Sequence, residues 1–238
     1  MKMGKRLGYG ALSDDSFSQV TMTRKGPRNG AANKREAILR AATRVFARNG
    51  YFSSKVADIA RAADVADGTV YLYFKSKEEI LHSIFDQNMA EAIAACRKLI
   101  EKSRDPGEKL RRIAALHLER LGADRDLAVV FQVELRGSTK FMQEFSAAGF
   151  AEYLGLLCEI FGEGQRAGVF RKELNAKVAA KILFGALDEI ATNWIISHRN
   201  YKLAPMADVV MDVFLSGVSA GTRASGVQHA GGMRTKRS

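Results

Sequence analysis

Along most of the chain, apolar residues recur three and four positions apart, and this period predicts helices. Over 34–49, Ile38, Ala41, Ala42, Val45 and Phe46 form one apolar stripe. Arg40, Arg44 and Arg48, four apart, form a basic one, two of whose three residues read as a solvated face. Asn49-Gly50 supplies a left-handed stop. A second helix follows Ser54, its expected N-cap, with Val56, Ile59, Ala60 and Ala63 on one face. Asp64 breaks the pattern. Asp tolerates a left-handed backbone, so the pattern predicts a turn here, with Val65 plugging the corner. A short third helix is expected over 67–74. Val70 and Phe74 face inward, Thr69, Leu72 and Tyr73 outward, and Tyr71 lies at the edge.

Longer elements follow. Ser76-Lys77-Glu78-Glu79 is a capping box and opens a helix reaching about residue 103 through Ile80, Leu81, Ile84, Phe85, Met89, Ile93 and Cys96. Asp105-Pro106-Gly107-Glu108 repeats the start signal for a fifth helix to 121. A sixth is expected over 124–136 and a seventh over 141–167, weakened by Gly149, Gly155 and Gly162. Asn175 caps an unusually apolar eighth helix to 197, and a ninth runs from Pro205 to Gly221. The pattern therefore predicts an all-α chain: a three-helix head over 33–80 and a six-helix body over 81–221. Segments 1–32 and 222–238 are Gly-rich and basic without a sustained period, and disorder is expected there. Met3 and Met22 are alternative starts.

The second and third helices have the design of a helix-turn-helix, whose second helix enters the DNA major groove. Gly68 allows close approach. Hydroxyls of Thr69, Tyr71 and Tyr73 suit phosphates, and Leu72 suits a thymine methyl. Ser54 and Lys55 before the second helix, and Lys77 at the start of the fourth, are further phosphate contacts. The competing reading packs one of Tyr71 and Tyr73 on the head's own core.

The segment GYFSSKVADIARAADVADGTVYLYFKSKEEIL resembles the DNA-binding signature of the TetR family of bacterial repressors. The matching residues are Ser54, Ile59-Ala60, Asp64-Val65-Ala66, Gly68, Tyr71, Tyr73-Phe74 and Lys75 to Glu78. Asp64 stands where that family prefers Gly, and Ala66 where it prefers a capping Ser, so Asp67 is an alternative cap. The resemblance implies a homodimeric repressor on a palindromic operator. It also implies a four-helix bundle built from the last two helices of each subunit. Those two helices are apolar on more than one face, which suits a dimer surface.

Charge divides the chain the same way. The net charge is +11. Residues 1–32 carry six Lys and Arg against two acids, 33–80 nine against six, 81–221 eighteen against eighteen, and 222–238 four against none. The excess sits on the tails and the head, as a DNA-binding head on a neutral body would have it. For the tails alone, solvation is the competing reading. Cys96 and Cys158 form neither a metal spacing nor a disulfide framework and suit a reducing cytoplasm. No apolar run reaches the roughly 18 residues of a membrane span. The N-terminus lacks the sustained apolar core of a signal peptide. Phosphate loops, zinc spacings and nucleophile elbows are lacking, and His82, His117, His198 and His229 are isolated, so no enzyme, metal or cofactor is expected.

In the body, DRDLAVVFQVELR and FGALDEIATNWI resemble the acyl-CoA-responsive TetR-type regulators of fatty-acid degradation, and Ala66-Asp67 matches their head. This resemblance implies a long-chain acyl-CoA effector, an apolar tunnel for its chain and a basic patch for its nucleotide. Leu99, Leu116, Val130, Phe131, Tyr153, Leu157 and Phe184 are the tunnel candidates, with Gln132, Glu134 and Asp188 as embedded polar groups. Arg104, Lys109, Arg111, Arg112 and Arg120 are either the phosphate-holding patch or a solvated helix face. An apolar cluster of this kind is otherwise simply a core. Alternatives are an aromatic drug-like effector with control of an efflux or detoxification operon, and a nucleoid protein without effector.

Overall fold

A computed structural model of the chain describes residues 30–134, 136, 148–197 and 201–220. The expected disorder of 1–29 and 222–238 and the start of the seventh helix at 141 lie outside the described residues. Nine helices are described: α1 (Gly30–Asn49), α2 (Val56–Ala62), α3 (Asp67–Tyr71), α4 (Lys77–Ile100), α5 (Pro106–Ala123), α6 (Arg125–Val129), α7 (Gly149–Arg166), α8 (Ala176–Ile196) and α9 (Met206–Val218). The only β pairing among the described residues is an isolated bridge between Phe170 and Ser219.

The starts follow the capping chemistry. Ser76, Asp105, Asp124 and Asn175 each accept a backbone N–H from the first turn of α4, α5, α6 and α8. Two caps differ from expectation. Lys55, not Ser54, precedes α2, and its N–H is taken by Asp58 at 3.1 Å. Ala66 precedes α3 without a side-chain cap, and Asp67 is its first helical residue. A carboxylate there still favours the positive end of the helix. Asp64 takes φ 55°, the left-handed turn the sequence asked for, and Gly50 takes φ 77°.

The largest departure is in α6, expected as one helix over 124–136. It is α-helical only to Val129, and Val130–Glu134 then form a π-turn with i→i+5 bonding. α1 begins at Gly30, inside the segment expected to be disordered.

Two apolar clusters hold the fold. The head cluster joins Ile38, Phe46, Ile59, Val70 and Phe74 to Ile80, Leu81, Ile84 and Phe85 of α4, and it includes Val130. The body cluster joins Ile93 and Cys96 of α4 to α5, α7, α8 and α9. Burying one such large side chain contributes roughly 1.5–3 kcal/mol. α4 thus belongs to both cores. At Gly164 the ring of Phe170 fills the space of a side chain, and an added Cβ would collide with it.

Candidate functional site

The first candidate region is the outward face of the head. Leu72 is 82% exposed and Tyr71 57%. Gly68 has open space where a Cβ would stand, Thr69 is half-buried and Lys55 is exposed. Phe52, which the sequence pattern did not single out, is also exposed, in the turn before α2.

Three of the expected DNA contacts are corrected. Tyr73 is half-buried and packs on the head cluster, so Tyr71 is the free tyrosine of the pair. Ser54 is 3% exposed, and its hydroxyl donates to the Gly50 carbonyl at 2.6 Å and to that of Val45. It closes the end of α1 and offers nothing to phosphate. Lys77 turns inward as well. Its Nζ donates to the carbonyls of Tyr51 (2.7 Å), Ser54 (2.8 Å) and Phe52 (3.2 Å). An ammonium has three protons, and all three are committed. The charge also lies 4.4 Å from the Tyr51 ring centroid, and burial lowers its pKa. Lys77 is therefore a clasp that holds the α1–α2 turn on the start of α4. Lys77→Ala removes the ammonium from those carbonyls and is expected to cost about 2 kcal/mol in thermal unfolding and to weaken operator binding with it. An unchanged melting temperature would return Lys77 to the DNA surface.

The second region is a cavity of about 160 Å³ lined by α4, α5, α6, α7 and α8. α4 contributes Phe85, Asn88, Met89, Ala92 and Cys96; α5 contributes Leu116, His117, Arg120 and Leu121. Leu127, Phe131 and Gln132 come from α6 and its π-turn, Arg136 from just beyond that turn, Phe150 and Tyr153 from α7, and Phe184 and Asp188 from α8. The sequence anticipated Leu116, Arg120, Phe131, Gln132, Tyr153, Phe184 and Asp188. It missed all five from α4, although Phe85, Met89, Ala92 and Cys96, spaced four, three and four, share one face of that helix.

Polar groups sit at chosen points of this apolar wall. Asp188 is buried, accepts from Gln132 Nε2 at 2.7 Å and pairs with Arg136. The Thr192 hydroxyl lies 3.0 Å from both Gln132 Oε1 and the Asp188 carbonyl, so its one proton is shared between the two acceptors. His117 Nδ1 lies 3.1 Å from the Tyr153 hydroxyl, while its buried Nε2 has no partner. Burial pushes the imidazole down to about 4, so it is neutral at physiological pH. Burial pushes the Tyr153 phenol up, with a smaller contribution from Cys96. Burial also raises the Cys96 thiol to about 11, against the opposing pull of Arg120, which keeps it protonated.

The remaining tunnel and patch candidates are corrected. Leu157 is fully buried in the body core, Val130 in the head core, and Leu99 is half-buried away from the cavity. Glu134 faces the head: its Oε2 accepts from the Tyr51 backbone N–H at 2.6 Å. Lys109 pairs with Glu163, Arg111 with Asp212 and Arg112 with Glu108. These three charges are matched by carboxylates at the protein's own surface, and Arg104 is exposed outside the cavity lining. Of the five, only Arg120 reaches the cavity, and it too has a carboxylate, Glu91 at 3.3 Å. No described helix is long and apolar enough to cross a membrane, and the described residues hold no cluster suited to a metal ion.

Comparison with known proteins places both regions in context. Residues 38–84 match the family of bacterial regulatory proteins of the tetR type, and residues 85–217 match the C-terminal region of YsiA-like proteins. The chain is 36% identical over 181 residues to the fatty acid metabolism regulator protein of Bacillus subtilis, covering 76% of this chain and 93% of that one. It resembles the fatty acid degradation regulator FadR of Bacillus halodurans, at 37% identity and a TM-score of 0.74, over 82% of this chain and 98% of that one. It is also similar to FadR of Bacillus subtilis solved in complex with stearoyl-CoA, at 36% identity and a TM-score of 0.73, over 76% of this chain and 98% of that one. A helix-turn-helix head, an all-helical body and matches spanning both show that this chain belongs to the tetR family of bacterial transcriptional regulators.

Proposed function

We propose that the chain is a homodimeric repressor that releases a palindromic operator on binding a long-chain fatty acyl-CoA, and so controls genes of fatty-acid degradation. The observation that carries the reading is the apolar cavity buried in the body, with Arg120 and Arg136 on its wall. The acyl chain would occupy the apolar part. Phosphates would draw the two arginines from Glu91 and Asp188. Likeness to a FadR solved with stearoyl-CoA supports the same class of ligand.

Residues 33–80 act as the reading head and 81–221 as the sensing and dimerising body. Lys55, Gly68, Thr69, Tyr71 and Leu72 are the DNA-facing residues. Two heads related by a two-fold axis read two half-sites. The partner surface is an exposed apolar stripe on α8 and α9, which includes Val178, Ile182, Val209 and Val213. Induction follows from differential affinity: the ligand favours a spacing of heads that does not fit DNA. α4, rooted in both cores, carries that spacing.

Titrating stearoyl-CoA against a complex with an operator selected from random duplexes is expected to release the DNA at micromolar ligand. Retention of the complex throughout the titration would reject the effector. One feature favours a second reading: five aromatic rings, Phe85, Phe131, Phe150, Tyr153 and Phe184, line the cavity and would stack on an aromatic drug-like inducer. Mass spectrometry of ligand retained by the purified protein separates the two.

A further inference from the structure

The π-turn Val130–Glu134 has two differently employed faces. On one side Phe131 stacks on Phe85 in the cavity wall, with centroids 5.3 Å apart, and Gln132 bonds Asp188. On the other side Val130 is fully buried in the head cluster, and Glu134 accepts the Tyr51 N–H at 2.6 Å across 83 positions of sequence. Tyr51 passes the contact on, because its carbonyl accepts from Lys77 Nζ at 2.7 Å. The same ammonium gathers the carbonyls of Phe52 and Ser54, immediately before α2. Hydrogen bonds joined by short stretches of backbone therefore run from the ligand wall, through Gln132, Glu134 and Tyr51, to the turn that positions the helix-turn-helix.

We propose that Glu134 is a positioning residue that transmits occupancy of the cavity to the DNA-binding head through the backbone N–H of Tyr51; this rests on the effector reading above. A ligand chain entering beside Phe131 must re-space the π-turn, since Phe131 and Gln132 are fixed to the wall it would share. The i→i+5 turn is a rare departure from the α-helix that precedes it, of a kind frequent at functional sites, and α-helical spacing is a second arrangement within its reach. Glu134 sits at the end of the turn and moves with it. The head then loses the carboxylate that holds Tyr51, or is drawn after it, and in either case the seating of α2 changes. Gly50 fits this role: an added Cβ would lie 3.7 Å from Glu134 Oε2, and φ 77° at this position admits glycine with ease.

The test is a linkage measurement. Stearoyl-CoA affinity is measured for the free protein and for the operator complex, and the ratio of the two is the coupling. In the natural protein a ratio of about tenfold or more is expected. Glu134→Ala is expected to bring it to within about twofold of one, while affinity for the free protein is unchanged, since Glu134 does not line the cavity. Glu134→Gln, which keeps an acceptor oxygen, is expected to fall between. Hydrogen exchange on the natural protein gives a second reading that no folding defect can confuse. The Tyr51 amide should be protected without stearoyl-CoA and exchange faster with it. Stearoyl-CoA binding with an unaltered coupling ratio in Glu134→Ala, or with unaltered Tyr51 protection, would overturn the proposal alone. Failure of stearoyl-CoA to bind the free protein would overturn the effector reading and this proposal together.

Discussion

Val213→Asp is expected to leave the protein monomeric at micromolar concentration and to lower operator affinity about a hundredfold. Val213 is 75% exposed on α9, and Val209 one turn before it is exposed too. On α8, Val178 and Ile182 are four apart, and Ile196 falls on the same face eighteen positions, or five turns, after Val178. Such stripes on the last two helices are what an isologous interface buries. Two-fold symmetry doubles any substitution, so one change sets two uncompensated carboxylates against apolar partners. A penalty of about 3 kcal/mol corresponds to the hundredfold loss. Sedimentation at micromolar protein reads the dimer directly, and gel shifts read the operator. A variant that stays dimeric would put the interface on another face.

Ala92→Trp is expected to abolish effector binding, by about a hundredfold or more, while operator affinity stays within about twofold of the natural protein. Ala92 is a small side chain in the α4 wall of the cavity. An indole there fills space that an acyl chain needs. The cost to the fold is limited because the ring enters a void, not a packed core, where overpacking costs typically 1–3 kcal/mol. The variant should repress without being induced. Calorimetry with stearoyl-CoA separates lost binding from lost transmission, since Glu134→Ala should bind and fail to release. Normal release by Ala92→Trp would move the effector site out of this cavity.

Much of this was legible in the sequence, and the parts that were not share a cause. Helix periods, the caps at Ser76, Asp105 and Asn175, and the left-handed Asp64 are local, and local chemistry is what sequence encodes most openly. The head's inward pair, Val70 and Phe74, followed from spacing alone. The clasp at Lys77 was not legible because nothing near it in sequence reveals that three carbonyls from 51–54 converge on its Nζ. The basic patch was misassigned for the same reason. Lys109 finds Glu163 and Arg111 finds Asp212 across 54 and 101 positions. The π-turn has no composition signal at all. VFQVE reads as ordinary helix, and only packing between two cores widens it. Glu134 stood out as a polar residue in an apolar run, yet its direction, toward the head and away from the ligand, could come only from the fold.

The double membership of α4 has a consequence for how such proteins can diverge. Ile80 to Phe85 belong to one core and Ile93 to Cys96 to the other, with a single uninterrupted helix between them. No loop separates the helix-turn-helix head from the body that holds the cavity. New combinations of operator and inducer therefore cannot arise by splicing at a tether. A crossover must fall inside α4, where one end has to suit the incoming head and the other the resident body. Recombination between distant relatives should mostly yield insoluble hybrids, and new specificities should accumulate by point changes on the exposed side of α3 and on the cavity wall, each on its own schedule.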